Sequence, residues 1–154
     1  MSNKFFIVAL IIFLGNSASG IAQQTDAEGC KNTPYFKRLP NSFITECEID
    51  TDEMEFIIAP DSIVRKEGLK TFIAYGYNPL KARIAPSFSQ IVKIYEDEVI
   101  KKGGRKMYYS NDAGNATLFF KLNDKEIWVV IDDGSGDGEG YYSISILETK
   151  KAPQ

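Results

Sequence analysis

The sequence predicts an α+β protein: a single two-layer domain in which one amphipathic helix, at about 87–102, packs on a mostly antiparallel sheet of five to six strands. Apolar residues recur at helical spacing in that one stretch, whereas elsewhere short apolar segments alternate with polar turns. One helix cannot cover both faces of a parallel sheet, so the pattern favours antiparallel strands over a doubly wound fold. We expect a signal peptide at 1–22, a disordered linker at 23–29, the domain at 30–149 and a disordered tail at 150–154.

The first residues of the chain have the layout of a secretory signal peptide. Lys4 precedes an apolar run from Phe5 to Leu14. The small residues Gly20 and Ala22 then stand three and one positions before a cleavage point at Gln23. About ten residues rise about 15 Å as a helix, roughly half of the hydrocarbon core, which is too short for a permanent span. The sequence therefore predicts an exported protein with no integral membrane span in its mature form.

The first predicted strands follow an irregular arm. Tyr35 to Ile44 follows Pro34, and it contains Pro40 and the anchoring rings Phe36 and Phe43. The acidic stretch Glu46 to Glu55 then leads into a short predicted strand, Met54–Ala59, which ends at the turn Pro60-Asp61. A second strand is predicted at Leu69–Tyr77, which is rich in aromatic and β-branched residues.

The helix has clear start and stop signals. Ser87 and Gln90 form a Ser-x-x-Gln capping box. Lys101 and Lys102 suit the negative end of the helix dipole, and glycines follow them. One face is apolar and consists of Phe88, Ile91, Val92, Tyr95 and Val99.

Four further strands complete the predicted order β-β-α-β-β-β-β. They are Arg105–Ser110, Thr117–Leu122, Glu126–Asp132 and Tyr141–Glu148.

Side-chain alternation along these strands predicts an aromatic patch on the sheet face opposite the helix. If Leu118 and Phe120 face the helix, Phe119 faces away, and Trp128 does so on the partner strand. Such a patch can bind a sugar, a peptide or a protein. The competing interpretation is that the arm, with Phe36 and Phe43, folds over this face. The candidate ligand or partner face comprises Phe119, Trp128, Tyr141 and Tyr75.

Composition excludes several functions. The chain has 18 basic and 21 acidic residues, and this weak negative charge argues against a nucleic-acid partner. It contains no histidine, so Ser-His-Asp and Cys-His catalysis are excluded and zinc or copper would lack their commonest ligand. A glycosidase-type carboxylate pair needs no histidine, but the acidic runs Glu46 to Glu55 and Glu96 to Glu98 are typical of hydrated surface. We expect no enzyme activity and no cofactor.

The chain has two cysteines, Cys30 and Cys47. In an exported protein an even cysteine count predicts a disulfide bond. Free thiols, or a lipidated Cys30, are the alternatives, although Ala27-Glu28-Gly29 is a poor lipidation signal.

One loop resembles half of a calcium site. Asp133, Ser135 and Asp137, followed by Gly138, match the first half of a calcium-binding loop, but its twelfth position is the apolar Ile144. We therefore predict a solvated glycine-rich loop and no metal site.

Several segments occur in the order found in one known family. They are Cys30, Pro34, Arg38 to Ile44, Lys81-Ala82-Arg83, Gly103-Gly104, Ala116-Thr117-Leu118, Ile127-Trp128-Val129 and the tyrosine-rich strand to Glu148. Over roughly 29–149 the chain resembles a poorly characterised module that precedes the peptidoglycan-binding domain in some OmpA-like outer-membrane proteins. This sequence ends at Gln154 without that domain, so no wall-binding residues are carried over. The resemblance implies an envelope-associated accessory module in a Gram-negative cell.

The sequence thus predicts an exported, non-catalytic, envelope-associated accessory or protein-interaction module. Its expected partner is an envelope protein or a cell-wall component, and its expected location is periplasmic or outer-membrane associated, with secretion as a further outcome. The alternative is a small periplasmic protein that binds a saccharide or peptide on the aromatic sheet face.

Overall fold

The computed structural model describes residues 24–80, 84–134, 136 and 140–150. Its described part contains one helix and six strands. The strands form one sheet in the order β1-β2-β6-β5-β4-β3, and every neighbouring pair is antiparallel. The elements are β1 (Ser42–Ala59), β2 (Ser62–Tyr77), α1 (Phe88–Lys101), β3 (Arg105–Ser110), β4 (Asn115–Leu122), β5 (Lys125–Asp133) and β6 (Tyr142–Lys150). The expected α+β class, with one helix and an antiparallel sheet, is confirmed.

The helix begins and ends as predicted. The Ser87 side chain accepts a hydrogen bond from the Gln90 amide, and the Gln90 side chain accepts one from the Ser87 amide at 2.9 Å. At the other end the Gly103 amide donates to the Ile100 carbonyl oxygen at 2.9 Å, and the φ of 77° at Gly103 turns the chain so that the Gly104 amide donates to the Val99 carbonyl oxygen at 2.9 Å. The five apolar residues of the predicted face are all buried.

The first hairpin is much longer than the sequence analysis predicted. β1 spans 18 residues and β2 spans 16, so the acidic stretch Glu46 to Glu55 is strand rather than a lead-in to a short strand at Met54–Ala59. Its acidic residues alternate with apolar and β-branched ones, which is compatible with a strand whose polar side chains reach water. A register shift between Ile44 and Glu46 marks a bulge near the start of β1.

The face of the sheet toward α1 forms the larger apolar cluster, here named the helix-side core. It joins the buried face of α1 to buried residues of β1, β2, β4, β5 and β6 and to the arm, and Tyr109 of β3 packs against it while partly exposed. Its buried members are Phe36, Leu39, Ile44, Ile73, Tyr75, Phe88, Ile91, Val92, Tyr95, Val99, Ala116, Leu118, Phe120, Ile127, Val129, Ile131, Tyr142, Ile144 and Ile146.

The opposite face carries a smaller apolar cluster, here named the hairpin-side cluster. Its buried members are Phe56, Trp128, Val130 and Leu147. Phe56 belongs to the far half of the β1–β2 hairpin, where β2 no longer pairs with β6. β2 and β6 separate at Gly68, where a Cβ atom would clash with the carbonyl oxygen of Glu148. The far half of the hairpin therefore folds over the sheet face that the helix leaves open.

The arm is fixed to the start of β1. Cys30 and Cys47 form a disulfide bond, which confirms the predicted pairing. The Ala27 amide donates to the Ile44 carbonyl oxygen at 2.8 Å, and Asp26 forms an ion pair with Arg38. These contacts fall within the range 23–29, which was predicted to be a disordered linker, and they hold residues 26 and 27 against the start of β1 and against Arg38. The predicted signal peptide lies outside the described residues.

Candidate functional site

The structure brings two of the predicted site residues together. Phe119 and Trp128 both point away from the helix, and their ring centroids are 4.7 Å apart. Trp128 is only 7 % exposed, because Phe56 packs against it at 5.1 Å and the Lys66 ammonium lies 5.4 Å from the ring centroid. Glu126 links these groups by accepting from the Trp128 indole at 3.3 Å and from Lys66 at 3.4 Å. The predicted aromatic face therefore exists, but the hairpin covers it.

The other two predicted residues lie elsewhere. Tyr75 belongs to the helix-side core, where it stacks on Tyr142 with centroids 5.0 Å apart. The pairing of Tyr75 with Tyr142 across β2 and β6 puts both rings on the helix side, so the grouping of Tyr75 with Trp128 is wrong. Tyr141 packs edge-to-face on Phe43, with centroids 6.5 Å apart.

The arm does not cover the aromatic face. Phe36 lies on the helix side, where it contacts Tyr95 at 5.4 Å and Phe120 at 5.9 Å in edge-to-face arrangements. The interpretation that the arm folds over the aromatic face does not hold for Phe36 at Trp128, whereas Phe43 packs on Tyr141, another residue of the candidate face. The covering residue is Phe56, whose approach depends on a long-range fold of the hairpin and not on local periodicity.

Buried polar groups also lie on the hairpin side of the sheet. Asn115 donates to Asp132 at 2.6 Å across β4 and β5. Burial raises the pKa of the Asp132 carboxyl, although the Asn115 hydrogen bond opposes the shift. Within the described residues, the side-chain amide oxygen of Asn115 and the Thr117 hydroxyl are buried without a hydrogen-bond partner. Such atoms destabilise a fold, since their desolvation is not compensated.

On the helix-side face, by contrast, two buried tyrosine hydroxyls are paired. The hydroxyls of Tyr95 and Tyr142 are hydrogen-bonded at 2.8 Å. Burial raises the pKa of both phenols, that of Tyr142 to about 12. Both groups therefore stay neutral across the physiological pH range, and they act as packed, hydrogen-bonded core residues.

A groove lies between the arm and α1, here named the arm–helix groove. It has a volume of about 770 Å³. Its wall is largely apolar, and two of its apolar residues are well exposed: Ile84 at 85 % and Ile94 at 40 %. The residues that line it are Leu39, Pro40, Asn41, Tyr77, Ile84, Ala85, Pro86, Ser89, Gln90, Lys93 and Ile94.

Hydrogen bonds hold the groove walls in place. The Tyr77 hydroxyl donates to the Ile84 carbonyl oxygen at 2.8 Å, and the Asn78 amide donates to the Asn41 carbonyl oxygen at 2.9 Å. Leu39, buried in the helix-side core, anchors the arm wall within the loop closed by the disulfide. Local sequence patterns did not predict this site, although Ile94 lies outside the apolar stripe of the helix and was a signal for it.

The acidic residues of the helix surface form ion pairs. Lys93 pairs with Asp97, and Lys106 on β3 pairs with Glu96 at 2.9 Å. Lys102 lies 4.0 Å from Glu98. These carboxylates are thus held by lysines along the helix and at the edge of the sheet.

The calcium-like loop is described only in part. Ser135, Asp137 and Gly138 lie outside the described residues, so the prediction of no calcium site there is untested. Ile144, at the twelfth position, is buried in the helix-side core. The part of the chain that the structure describes contains no group of three or more acidic or cysteine side chains placed to hold a metal ion.

Across the described ranges, no helix is long and apolar enough to cross a membrane. No family model, curated protein or solved structure matches this chain. The proposed function therefore depends on the sequence signals and on the geometry of the molecule.

Proposed function

We propose that the protein is an exported, non-catalytic interaction module of the bacterial envelope, and that it binds a partner protein in the arm–helix groove. The observation that carries the proposal is the groove itself, an open apolar channel of about 770 Å³ with two exposed isoleucines. An exposed apolar channel rimmed by polar residues is typical of a protein-interaction site. Its occupant is a short apolar segment of the partner, since the wall offers few polar groups.

One disulfide bond supports the proposed location and also shapes the groove. The Cys30–Cys47 disulfide closes the loop that carries Leu39, Pro40 and Asn41, which form one wall of the groove. Disulfide bonds persist in oxidising compartments such as the bacterial periplasm. The bond and the signal-peptide layout of residues 1–22 both support export, and the groove would be fully shaped only after export.

The alternative of saccharide or peptide binding on the aromatic sheet face has less support. A stacking platform must offer one ring face to the ligand, whereas Phe56, Phe119 and Lys66 already surround Trp128. Opening the hairpin would have to precede such binding.

Export is tested by cell fractionation and intact mass. Processed protein recovered from the envelope fraction should lack residues 1–22 and begin at Gln23. Recovery of unprocessed protein from the cytoplasm would overturn the proposed location without bearing on the groove.

The groove is tested by site-specific photo-crosslinking in cells. A photoreactive amino acid at Ile94 should give one adduct of defined mass, while the same group at Ile100 should not. The pair is matched, since both residues are exposed on α1 and only Ile94 lines the groove. Ala85→Lys should weaken the Ile94 adduct, because it replaces an apolar residue of the groove wall by a charged one. Equal adducts from both sites would contradict the proposal.

A further inference from the structure

The outer edge of β1 is open in the middle part of the strand. β1 is the terminal strand of the sheet. Residues 26 and 27 pair with its start, where the Ile44 carbonyl oxygen accepts from Ala27 and the Ile44 amide donates to the Asp26 carboxylate at 2.9 Å. Beyond the disulfide at Cys47, no other described segment adds a backbone hydrogen bond to this edge. From Met54 onward the strand enters the hairpin-side cluster, so the free edge runs from about 48 to 53.

The strand at this edge is strongly acidic. β1 contains six acidic residues and no basic residue in its sequence SFITECEIDTDEMEFIIA. Glu46, Glu48, Asp50 and Asp52 lie on the hairpin-side face, where the Lys70 ammonium lies 3.7 Å from Asp50 and 2.9 Å from Asp52. Glu46 and Glu48 are exposed. The edge therefore has an excess of negative charge on one face.

The other face of the same hairpin carries exposed apolar side chains. Ile49 is 68 % exposed, Leu69 45 % and Ile63 56 %. They share one face because Thr51 pairs with Leu69 and Ile57 pairs with Ile63. The pair Glu53–Glu67 lies on the same face between Leu69 and Ile63, so the apolar contact next to the free edge is limited to Ile49 and Leu69. A depression of about 520 Å³, lined in part by Thr51 and Leu69, opens beside this row. Apolar groups in this arrangement provide a surface for the apolar side chains of an added strand.

We propose that the free edge of β1 pairs with an extended segment of a partner protein in which basic and apolar residues alternate. Strand addition supplies backbone hydrogen bonds, and alternate side chains give specificity. Basic side chains of the partner would lie beside Glu48 and Asp50, and its apolar side chains would lie beside Ile49 on the opposite face. A second copy of this chain is the wrong occupant, because antiparallel pairing of two such edges would place carboxylates against carboxylates. Charges at a sheet edge commonly prevent self-pairing, and here they also select the partner.

The test measures binding of a labelled peptide to the intact mature protein. The probe is a peptide of about ten residues, the usual upper length of a strand, in which lysine and valine alternate. It should bind, lose affinity as salt rises, and protect the amides of Ile49 and Thr51 from hydrogen exchange. A peptide of the same composition in Lys-Lys-Val-Val blocks should bind less tightly, since its charges would lie on both faces.

Charge reversal supplies the matched control. The double variant Glu46→Lys with Glu48→Lys should weaken binding at least about tenfold, because it replaces attraction by repulsion at the edge. The double variant Asp112→Lys with Asp124→Lys makes the same change of charge at two exposed turn residues and should leave binding near that of the unmodified protein. Equal losses in the two variants, equal binding of the two peptides, or no binding would overturn the proposal. Concentration-dependent dimerisation through Ile49 would overturn it in favour of a second copy. None of these results bears on the arm–helix groove, whose lining includes no residue of β1.

Discussion

The two faces of the sheet are covered in different ways. On the helix side, α1 and the arm close a core whose buried rings are packed and whose tyrosine hydroxyls are hydrogen-bonded. On the other side, the far half of the hairpin covers a small cluster around Trp128, and polar atoms of Asn115 and Thr117 are buried without partners. Stability depends on how much apolar surface a cover buries and on how well it satisfies polar groups. The helix side is therefore the stable scaffold, and the hairpin side is the more easily opened face.

The largest expected contrast comes from removing one buried ring on each face. Phe120→Ala should reduce the free energy of unfolding by about 3–5 kcal/mol, since Phe120 is fully buried among Tyr35 and Phe36. Phe56→Ala should reduce the free energy of unfolding by at least about 1 kcal/mol less than Phe120→Ala does. Partly exposed neighbours such as Met54 and Val64 can relax into the space that it leaves. Denaturant unfolding of both variants measures the difference. A larger loss for Phe56→Ala would reverse the comparison.

Loss of the disulfide should rank next. Cys47→Ser should lower the free energy of unfolding by roughly 2–4 kcal/mol, because the loop from Cys30 to Cys47 is no longer closed in the unfolded chain. The double variant Cys30→Ser with Cys47→Ser should lose the same amount, which separates the crosslink from a free thiol. Full reaction of the unreduced native protein with a thiol reagent would show that no bond exists.

Two hydroxyl deletions compare a buried polar group on each face of the sheet. Tyr95→Phe should cost about 1 kcal/mol, since it removes the bond to Tyr142. Thr117→Val should be neutral or stabilise by up to about 1 kcal/mol, because the deleted hydroxyl is buried without a described partner. Thermal melts of the two variants should shift in opposite directions, or Thr117→Val should not shift. A clear loss for Thr117→Val would mean that its hydroxyl is satisfied.

The smallest expected effect depends on pH. The folded-state pKa of Asp132 is raised by burial, so its protonated form favours folding below the unfolded value of 3.8, and that stability is lost as pH rises through the folded pKa. Asp132→Asn should therefore stabilise the protein more at pH 7 than at pH 3. Asp26→Asn should destabilise the protein more at pH 7 than at pH 3. Burial raises the Asp26 pKa, but the Ile44 amide and Arg38 lower it overall, so the charged carboxylate favours the folded state. Unfolding curves at the two pH values check both signs.

Local sequence signals predicted the scaffold well. The capping box at Ser87 and the glycines after Lys102 predicted the helix within a residue at each end. Alternation placed Phe119 and Trp128 on the face away from it, as the clusters show. These features depend on neighbours within a few residues, where side-chain periodicity is informative.

Long-range features could not be predicted in this way. The acids between Glu46 and Glu55 were interpreted as hydrated surface that leads into a short strand, because periodicity alone does not show that a strand projects beyond the sheet with both faces near water. The approach of Phe56 to Trp128 depends on where β2 leaves β6, near Gly68, and no local signal gives that register. Tyr75 was assigned to the wrong face because its pairing with Tyr142 was unknown. The arm–helix groove was missed for the same reason, since its two walls are remote in the sequence.

Native-state hydrogen exchange tests the difference between the two faces most directly. It measures an opening free energy at each amide, from near zero for local fluctuations to the full free energy of unfolding. The amides of Phe56 and Val64, which belong to the far half of the hairpin, should open with clearly lower free energies than those of Val129 and Ile146 in the central strands. Equal opening free energies at all four amides would show that hairpin and scaffold unfold as one unit, which would contradict the account.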